Sequence, residues 1–485
     1  MSKISAFTSA LDLARAIRRR EISAVSATAQ ILDRIERTQA TLNAYITVDA
    51  DGAMRRAEAA DIAVARGDHL PPLHGVPVSV KDIINTAGLR TTWGSLTMAD
   101  NVPDEDAVAV ERLKKAGANI IGKTTTSEFG HKPLTDAPLF GTTRNPWDLR
   151  LTPGGSSGGS AVAVAAGLGP LSLATDAGAS TRLPAALTGI VGLKPTLGLV
   201  PHSQVPDAFN NYIHIGIMAR TVADAALMLD VVAGEHRSDP HSISVAKPHA
   251  LSAVQGASGT KRPVRAAWRP LIGNQWLDDD FRKIYEQALA VFREMGWTID
   301  TIDNPVEGAE PAWRVLQQAN WAARFHARLD ELGDKLDPNF VEGIRMGAQY
   351  SGQQLLQATY KRTAHFRAIQ DWFVKYDFVL TPTCSRPALA VEHRANDPIQ
   401  VNGHDAGDIR RAWVPYLNLF NLTGHPAVSI PCGFSAGLPV GLQIVGRWYS
   451  DADVLCVAAA YEQATEFHKR VPQMPAQLSC RSVTG

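Results

Sequence analysis

Short runs of strand-forming residues alternate with helical segments along this chain of 485 residues, and this alternation limits its fold more than any other feature. Residues 76–80 are rich in valine and predict a strand, and a helix predicted over residues 106–116 leads into a second strand at 119–122. Further strands are predicted at residues 171–175, 378–380, 427–430 and 440–445, and a further helix at 451–465. Because such alternation is typical of a sheet covered by helices on both faces, the sequence predicts an α/β fold. Since the strands lie both early and late in the chain, one sheet built from distant segments is favoured over independent domains.

Other segments carry helical patterns or a connection. Residues 8–66 are predicted to be helical, with Thr8 or Ser9 capping the first helix and Ser23 beginning the second. Residues 275–375 are also predicted to be mostly helical. The polar stretch 234–261 is the best candidate for a surface connection.

The charge balance argues against a nucleic-acid partner. Lys plus Arg and Asp plus Glu both number 48, so no basic surplus exists to neutralise phosphates. Hydrophobic residues make up 45% of the chain and charged residues 20%, which is the balance of a soluble protein with a sizeable core.

Neither a secretory signal nor a membrane span is predicted. Residues 1–20 are polar, and the weakly polar run 160–175 is too short for a span and is interrupted by Gly167, Gly169 and Pro170. The four cysteines form no CxxC pair, which disfavours a disulfide scaffold and a zinc site and fits a reducing compartment. We therefore expect a cytoplasmic protein.

The densest unusual stretch is the glycine and serine run at residues 152–160, which reads TPGGSSGGS. Its glycines allow positive φ and a close approach of the backbone to a ligand. A flexible linker is one alternative, although the run lies inside an apolar region. The G-x-S-x-G turn of the α/β-hydrolases is another, but it needs a strand immediately before Ser156, and the preceding segment ends in Pro153. A phosphate-binding loop would need the G-x-x-x-x-G-K-[ST] pattern, which the run lacks.

Two further clusters carry candidate chemistry. The sequence TDAGASTRLP at residues 175–184 follows a predicted buried strand, and backbone N–H groups level with Ser180 could stabilise a tetrahedral oxyanion. The alternative is a tight strand-to-helix turn in which Ser180 is only an N-cap. Lys81 ends the strand 76–80. It is either a surface residue whose charge reaches solvent or, if buried, a general base with a lowered pKa.

Together the three clusters resemble the amidase signature family in residue type, order and spacing. The resemblance covers about residues 70–232, including GLKPT at 192–196 and ARTVAD at 219–224, and resumes at 381–383 and 421–446. It implies a single α/β/α domain over residues 1–485 with a large mixed central sheet. Its regions would be an N-terminal helical part at 1–68, the signature core at 70–232, a peripheral, mostly helical pocket region at 263–375, and strands and helices at 376–470 that complete the sheet.

The resemblance also implies a reaction, the hydrolysis of a carboxylic amide, with aryl amides and carbamates as related substrates. Ser180 would be the nucleophile, and Ser156, which follows a cis peptide bond in this family, would relay its proton to a neutral Lys81. No metal or cofactor is implied. The oxyanion hole would consist of the backbone N–H groups of Ala177, Gly178, Ala179 and Ser180.

Supporting roles follow from the same resemblance. Ser157 would hold its loop by hydrogen bonds, and Asp176 and Arg182 would brace the nucleophile turn. The chain departs from the family at one place, because members usually have two adjacent glycines before the nucleophile and this sequence has Gly178 followed by Ala179. We expect the Ala179 methyl group to narrow the floor of the site. If the turn demands positive φ, it also costs about 1 kcal/mol in strain.

The substrate-lining candidates are Phe129, Gly130 and His131, which border the active site in relatives. Three other histidines lie near the motifs, namely His74, His214 and His425. With 14 histidines in the chain some must fall there, and the family scheme uses none as a base, so we expect them to be structural or substrate-lining. Residues 275–375 are expected to form much of an apolar pocket.

Two other functions stay open at this point. A glutamine amidotransferase of the A type, which acts with a tRNA-charging partner, shares the triad. Residues 129–134 and 211–216 look unlike the glutamine-specific pattern, which favours a free-standing hydrolase. A non-catalytic small-molecule-binding scaffold could retain the motifs, but only an activated serine would react with a fluorophosphonate. The expected partner is a small-molecule amide, with a homodimer common among relatives.

Overall fold

The computed structural model describes residues 4–256, 263–303 and 307–473. Within these ranges, one mixed sheet of 11 strands is flanked by helices, which confirms the predicted α/β class. The strands are β1 (Tyr45–Val48), β2 (Pro77–Lys81), β3 (Asn119–Thr124), β4 (Asp136–Ala137), β5 (Gly141–Thr142), β6 (Leu171–Asp176), β7 (Val191–Lys194), β8 (His214–Ala219), β9 (Arg265–Trp268), β10 (Thr298–Thr301), β11 (Phe378–Pro382), β12 (Gln400–Val401), β13 (His404–Asp405), β14 (Ala427–Ser435) and β15 (Leu438–Val445). Strands β4 with β5 and β12 with β13 form two separate short pairs.

The large sheet joins strands from both ends of the described chain. Its order is β1-β3-β2-β6-β8-β7-β14-β15-β11-β9-β10. Strand β2 runs parallel to β3 and β6, and β9 runs parallel to β10 and β11, whereas the other neighbouring pairs are antiparallel. Early and late strand candidates therefore share one sheet, as predicted.

Five strands of this sheet were not predicted, namely β1, β7, β8, β9 and β10. Four of them contain only four residues each, too few for an alternating pattern to stand out. Strand β8 is longer but is buried at every position, so its sequence HIGIMA shows no alternation either.

The described helices are α1 (Ala10–Arg18), α2 (Ala24–Leu42), α3 (Ala50–Arg66), α4 (Val108–Lys115), α5 (Gly158–Ala165), α6 (Arg182–Thr188), α7 (Val222–Val232), α8 (Ala250–Gly256), α9 (Asp279–Glu294), α10 (Glu310–Phe325), α11 (Leu329–Leu332), α12 (Pro338–Gly347), α13 (Gly352–Lys375), α14 (Ile409–Ala412), α15 (Pro415–Leu422) and α16 (Asp451–Thr465). Side-chain caps explain where α1 and α2 begin, because Ser9 accepts a hydrogen bond from the backbone of Asp12 and Ser23 one from Ser26. The predicted cap at Ser23 is thereby confirmed, and Ser9 is the cap of the first helix.

The predicted surface connection at residues 234–261 is only partly a loop. Its described part ends in α8, whose Ala250 and Val254 are buried, and residues 257–261 lie outside the described ranges. Among the described residues, no helix combines the length and the apolar character that crossing a membrane would require.

Every residue of β2, β3, β6 and β8 is buried, because helices cover both faces of the sheet at its centre. Helix α5, rich in alanine and glycine, is also buried along its whole length. The ends of β2 and β6 and the start of α5 therefore lie in the interior, and polar side chains there need partners.

Candidate active site

Lys81 is the last residue of β2, and its side chain is fully buried. Its Nζ lies 2.7 Å from Ser156 Oγ and 2.9 Å from Thr175 Oγ1. Strands β2 and β6 run parallel with Val80 opposite Leu173, so their carboxyl ends, which carry Lys81 and Thr175, lie side by side. Lys81 therefore points into the protein toward the two serine clusters, and the surface alternative for this lysine is wrong.

Burial sets the protonation of this lysine. Desolvation lowers the pKa of Lys81 well below its usual value, and the carboxylate of Asp176 opposes this only in part. Both hydrogen-bond partners of its Nζ are neutral hydroxyl groups, so neither supplies a counter-charge. A neutral amine, which can accept a proton, is favoured at this position.

The glycine and serine run packs tightly against its surroundings. An ideal Cβ atom on Gly155 would lie 2.3 Å from the Leu134 carbonyl oxygen, and one on Gly159 would lie 2.3 Å from Thr125 Oγ1. The peptide bond between Gly155 and Ser156 is cis, as the resemblance implies. The run is therefore an ordered interior loop, which excludes the flexible-linker alternative.

Ser157 links this loop to the second cluster. Its Oγ donates a hydrogen bond to the Thr175 carbonyl at 3.2 Å, and its backbone N–H donates to the Ser180 carbonyl at 3.2 Å. The expected role of Ser157 in holding the loop agrees with this geometry. The same two bonds keep Ser156 beside the turn that carries Ser180.

The turn between β6 and α6, residues 177–181, presents free donors. Among the described residues, none accepts a hydrogen bond from the backbone N–H groups of residues 177–180, whereas those of Thr181 and Arg182 donate to Asp176. The indole Nε1 of Trp313 donates to the Ala177 carbonyl at 2.6 Å, so this tryptophan holds the turn from the helical region. Four adjacent donors without acceptors are suited to stabilising an oxyanion.

Ala179 does not restrict the cavity in the way that the sequence suggests. It is not among the residues with positive φ, so its methyl group causes no backbone strain. The residue is only 5% exposed, belongs to the hydrophobic core and is absent from the described residues that line the cavity. The expectation that its methyl group narrows the floor of the site is therefore wrong.

A buried ion pair braces the turn. Arg182 donates to both carboxylate oxygens of Asp176, from Nε at 3.0 Å and from Nη2 at 2.9 Å, and both side chains are inaccessible to solvent. Its remaining contacts are with Gln443 Oε1 at 2.7 Å and Asn421 Oδ1 at 2.5 Å. Burial alone would raise the pKa of Asp176, but the guanidinium of Arg182 holds it well below its usual range. Asp176 and Arg182 thus form a buried ion pair beside the turn, and Arg182 also contacts distant segments of the chain.

Ser156 and Ser180 line the same cavity, which has a volume of about 600 Å³. The loop 202–213 and helices α10 and α13 supply most of its other walls. This agrees with the expectation that residues 275–375 form much of the pocket. A cavity of this size accommodates a drug-sized molecule.

Two of the three substrate-lining candidates line this cavity. Phe129 and Gly130 both do so with positive φ, and a Cβ atom on Gly130 would lie 3.3 Å from Ser156 Oγ. His131 does not, because its side chain is buried, with Nδ1 2.8 Å from the Glu128 carbonyl oxygen and Nε2 3.6 Å from Asp337 Oδ1. The expectation that His131 lines the cavity is therefore wrong, since this side chain is buried behind the residues that do.

The other named histidines also lie outside the described cavity lining, which includes His202 instead. His74 contacts the Ala60 carbonyl, His214 lies 3.5 Å from Asn421, and His425 bonds Thr423. These are structural positions, in keeping with one of the two expected roles.

Several residues of the site were missed because they meet it only through the fold. Thr175 belongs to the recognised second cluster. Its hydroxyl contacts Lys81 only because β2 and β6 are neighbours in the sheet, which the sequence does not show. Trp313 and Arg324, from α10, have no local motif that would mark them. A tryptophan in an otherwise helical stretch is the only signal, and it does not show which turn the ring contacts.

Comparison with known proteins agrees with the fold. The family model described as Amidase matches residues 26–455. An acylamidase from Rhodococcus erythropolis is 34% identical over 96% of this chain and 97% of its own length. The A component of the glutamyl-tRNA(Gln) amidotransferase of Moorella thermoacetica is 36% identical over 96% of this chain and 99% of its own length.

Among solved structures, a bacterial aryl acylamidase of the amidase signature family superposes with a TM-score of 0.89. It shares 28% sequence identity and covers 96% of this chain and 98% of its own. A family match over most of the chain and a shared fold leave one assignment. The chain belongs to the amidase signature family and is an enzyme that hydrolyses amide C–N bonds.

Proposed function

We propose that this protein is a free-standing amidase that works through Ser180, Ser156 and Lys81 and forms an acyl-enzyme. The observation that carries the proposal is the buried Lys81 amine, 2.7 Å from Ser156 Oγ, with Ser156 sharing a cavity with Ser180. A lysine with a lowered pKa and a serine relay supply the base that a serine nucleophile requires.

In the acylation step, Ser180 Oγ attacks the carbonyl carbon of the amide. Its proton passes to Ser156, whose own proton passes to the neutral amine of Lys81. Negative charge develops on the carbonyl oxygen, and the free N–H groups of residues 177–180 stabilise it. The C–N bond then breaks as Ser156 protonates the leaving nitrogen and recovers a proton from Lys81.

In the deacylation step, water takes the place of the amine. Ser156 and Lys81 remove its proton as it attacks the ester carbonyl. The second tetrahedral intermediate then collapses to the acid as the proton returns from Lys81 through Ser156 to Ser180 Oγ, which restores the free enzyme. Thr175 accepts a hydrogen bond from Lys81 Nζ, which keeps the amine lone pair directed at Ser156. Apart from water, the proposed cycle draws on side chains and backbone groups of this chain.

The aromatic wall of the cavity supports a bulky, apolar amide as substrate. We use this name for Trp93, Phe129, Trp321, Phe325 and Phe340, of which the first three line the cavity. The ring centroid of Phe129 lies 4.7 Å from that of Phe325 and 5.4 Å from that of Phe340, so the wall is one packed cluster. Aryl rings bind well to such a surface, which favours anilides and other aryl amides.

A fluorophosphonate probe tests the nucleophile. We expect one adduct, on Ser180 by mass spectrometry, and none in Ser180→Ala. Ser172→Ala is the matched control, because this serine lies on β6, the strand that leads into the turn with Ser180, is outside the cavity lining, and has a buried hydroxyl without a hydrogen-bond partner among the described residues. Labelling of Ser180→Ala at another serine, or turnover of acetanilide by that variant, would refute the assignment.

A glutamine amidotransferase role of the A type is the second candidate, since the Moorella protein is similar over nearly its whole length. The two roles differ in their substrates. A free-standing amidase cleaves aryl amides without any partner, whereas the alternative predicts ammonia release from glutamine. A kcat/KM for glutamine above that for acetanilide would favour the amidotransferase role.

A further inference from the structure

One arginine, Arg324, is among the described residues that line the cavity. Arg324, on α10, lines the cavity and is accessible from it. Its guanidinium lies 5.7 Å from the ring centroid of Trp93 and 5.0 Å from that of Phe325. Among the described residues, no carboxylate forms an ion pair with it and no acceptor forms a hydrogen bond with it.

Three other arginines, unlike Arg324, pair with carboxylates. Arg314 pairs with Glu310 and Asp408, Arg411 pairs with Glu310, and Arg328 pairs with Glu331. The surrounding protein lowers the pKa of Arg324 by desolvation, and no acidic group acts in the opposite direction. Because Arg324 is exposed and lines the cavity, its guanidinium can contact a carboxylate that enters the cavity.

Two other residues that line the cavity carry a buried polar atom without a hydrogen-bond partner among the described residues. The amide Nε2 of Gln204 is buried without a hydrogen-bond partner among the described residues, although its Oε1 accepts from the Asn85 backbone. His202 lines the cavity as well, and its Nδ1 is buried without a described partner. Asp207 also lines the cavity; its charge partly opposes the lowering of the pKa of Arg362 by burial and has no such effect on the pKa of Arg324.

We infer that the cavity selects amides that carry a carboxylate, with an aryl or other apolar group between the carboxylate and the scissile amide. Arg324 binds the carboxylate by charge-assisted hydrogen bonds, and the aromatic wall beneath the guanidinium contacts the apolar group. The inference rests on the proposed amidase function and names its substrate class.

Two pairs of substrates test this and separate the two possible positions of the carboxylate. The first pair, 4-acetamidobenzoate and 4-methylacetanilide, places the carboxylate on the amine side. The second pair, 4-carboxybenzamide and 4-methylbenzamide, places it on the acyl side. We expect kcat/KM for the acid to exceed that for its methyl counterpart about 10- to 100-fold in at least one pair, the usual range for a hydrogen bond to a charged group.

The variant Arg324→Gln removes the charge and keeps most of the side-chain length. We expect it to abolish the preference by lowering kcat/KM for the acid about 10- to 100-fold and leaving the methyl substrate within about twofold. Arg328→Gln is the matched control, because this arginine lies four residues further on, outside the cavity lining, and pairs with Glu331 on the surface. Arg328→Gln should leave kcat/KM for the acid and for the methyl substrate unchanged.

Fluorophosphonate labelling distinguishes the possible failures. If Ser180 is labelled and wild-type enzyme cleaves acids and methyl compounds equally well in both pairs, the carboxylate inference is wrong and the amidase proposal stands. If Arg324→Gln keeps the preference for the acid, the inference is likewise wrong. If Ser180 is not labelled and no amide is cleaved, the proposed function itself fails.

Discussion

Gly178 lies where the nucleophile turn meets Trp313, and a single methyl group there tests how the oxyanion site is held. An ideal Cβ atom on Gly178 would lie 3.0 Å from two ring carbons of Trp313 and 3.1 Å from its Nε1. Carbon atoms are comfortable at about 3.5–4.0 Å, so the variant Gly178→Ala is short of space by roughly 0.5–1 Å. Gly178 is not among the glycines with positive φ, so the effect is steric and does not come from backbone strain.

Two contacts hold the Trp313 ring in place, so it cannot easily move away from an added methyl group. Its Nε1 donates to the Ala177 carbonyl at 2.6 Å, and the guanidinium of Arg410 lies over its ring at 4.4 Å. We therefore expect the turn to move and to displace the N–H groups of residues 177–180. Overpacking of this kind costs about 1–3 kcal/mol of folding free energy, and the loss of one oxyanion donor costs about 10²- to 10³-fold in kcat.

For Gly178→Ala, with the donors displaced but not deleted, we predict a fall in kcat of about 10- to 100-fold. KM should change little, and the urea midpoint should fall in line with the overpacking cost. Kinetics on acetanilide and urea unfolding followed by tryptophan fluorescence measure these quantities. Ala179→Gly is the control one residue further on, and because the Ala179 methyl group lies in the core, the ratio of kcat/KM for short and branched acyl groups should stay unchanged.

A second-site variant tests whether positions 178 and 313 interact. Trp313→Phe removes the ring atoms that Gly178→Ala would crowd, so the double variant should lose less kcat than the two single losses combined. Additive losses would mean that the two positions do not interact. A Gly178→Ala enzyme with wild-type kcat and stability would show that Trp313 does not position the turn.

Three further predictions concern the buried charges and the serine relay. Activity should rise with pH through the lowered pKa of Lys81, because only its neutral amine accepts a proton; Lys81→Ala should flatten this profile, and an active Lys81→Arg would contradict the base role, since a guanidinium keeps its proton. Asp176→Asn should cost about 3–5 kcal/mol in urea unfolding by leaving Arg182 without its buried counter-charge. Because the native pKa of Asp176 is lowered, wild type should hold this contribution above the unfolded-state pKa and lose it as pH falls through the native pKa, whereas the asparagine variant should lack that dependence. Ser156→Ala should slow acylation of an amide more than that of an activated ester, measured by burst kinetics, because an aryloxide leaves without the proton that Ser156 gives an amine.

The chemistry of the site could be read from the sequence to the extent that it resides in local motifs. Lys81, Ser156 and Ser180 each belong to a short segment whose composition is unusual, and the resemblance joined the three. His131 and Ala179 were misjudged for the same reason. Proximity in sequence to a motif says which loop a residue occupies, but not whether its side chain faces the cavity or the core.

The specificity side of the cavity could not be read in this way. Arg324 and Trp313 lie on a helix whose pattern is that of any helix packed against a core, and their importance depends on which loop they meet. The same limit applies to the sheet, since the four-residue strands β7 and β9 are set by their neighbours rather than by their own residues. Predicting these cavity residues or these strands would require knowing which distant segments of the chain pack or pair with them.

Arg182 joins the nucleophile turn to Asn421 and Gln443, which are 239 and 261 residues further along the chain. During translation, Lys81, Ser156 and Ser180 are synthesised long before these two partners. Until α15 and β15 have been synthesised and have docked, two of the acceptors that hold the guanidinium in place are missing, and the turn cannot take its final form. We therefore expect nascent or prematurely terminated chains to contain all three side chains of the proposed triad and yet be inert, so that enzymatic activity depends on completion of the polypeptide.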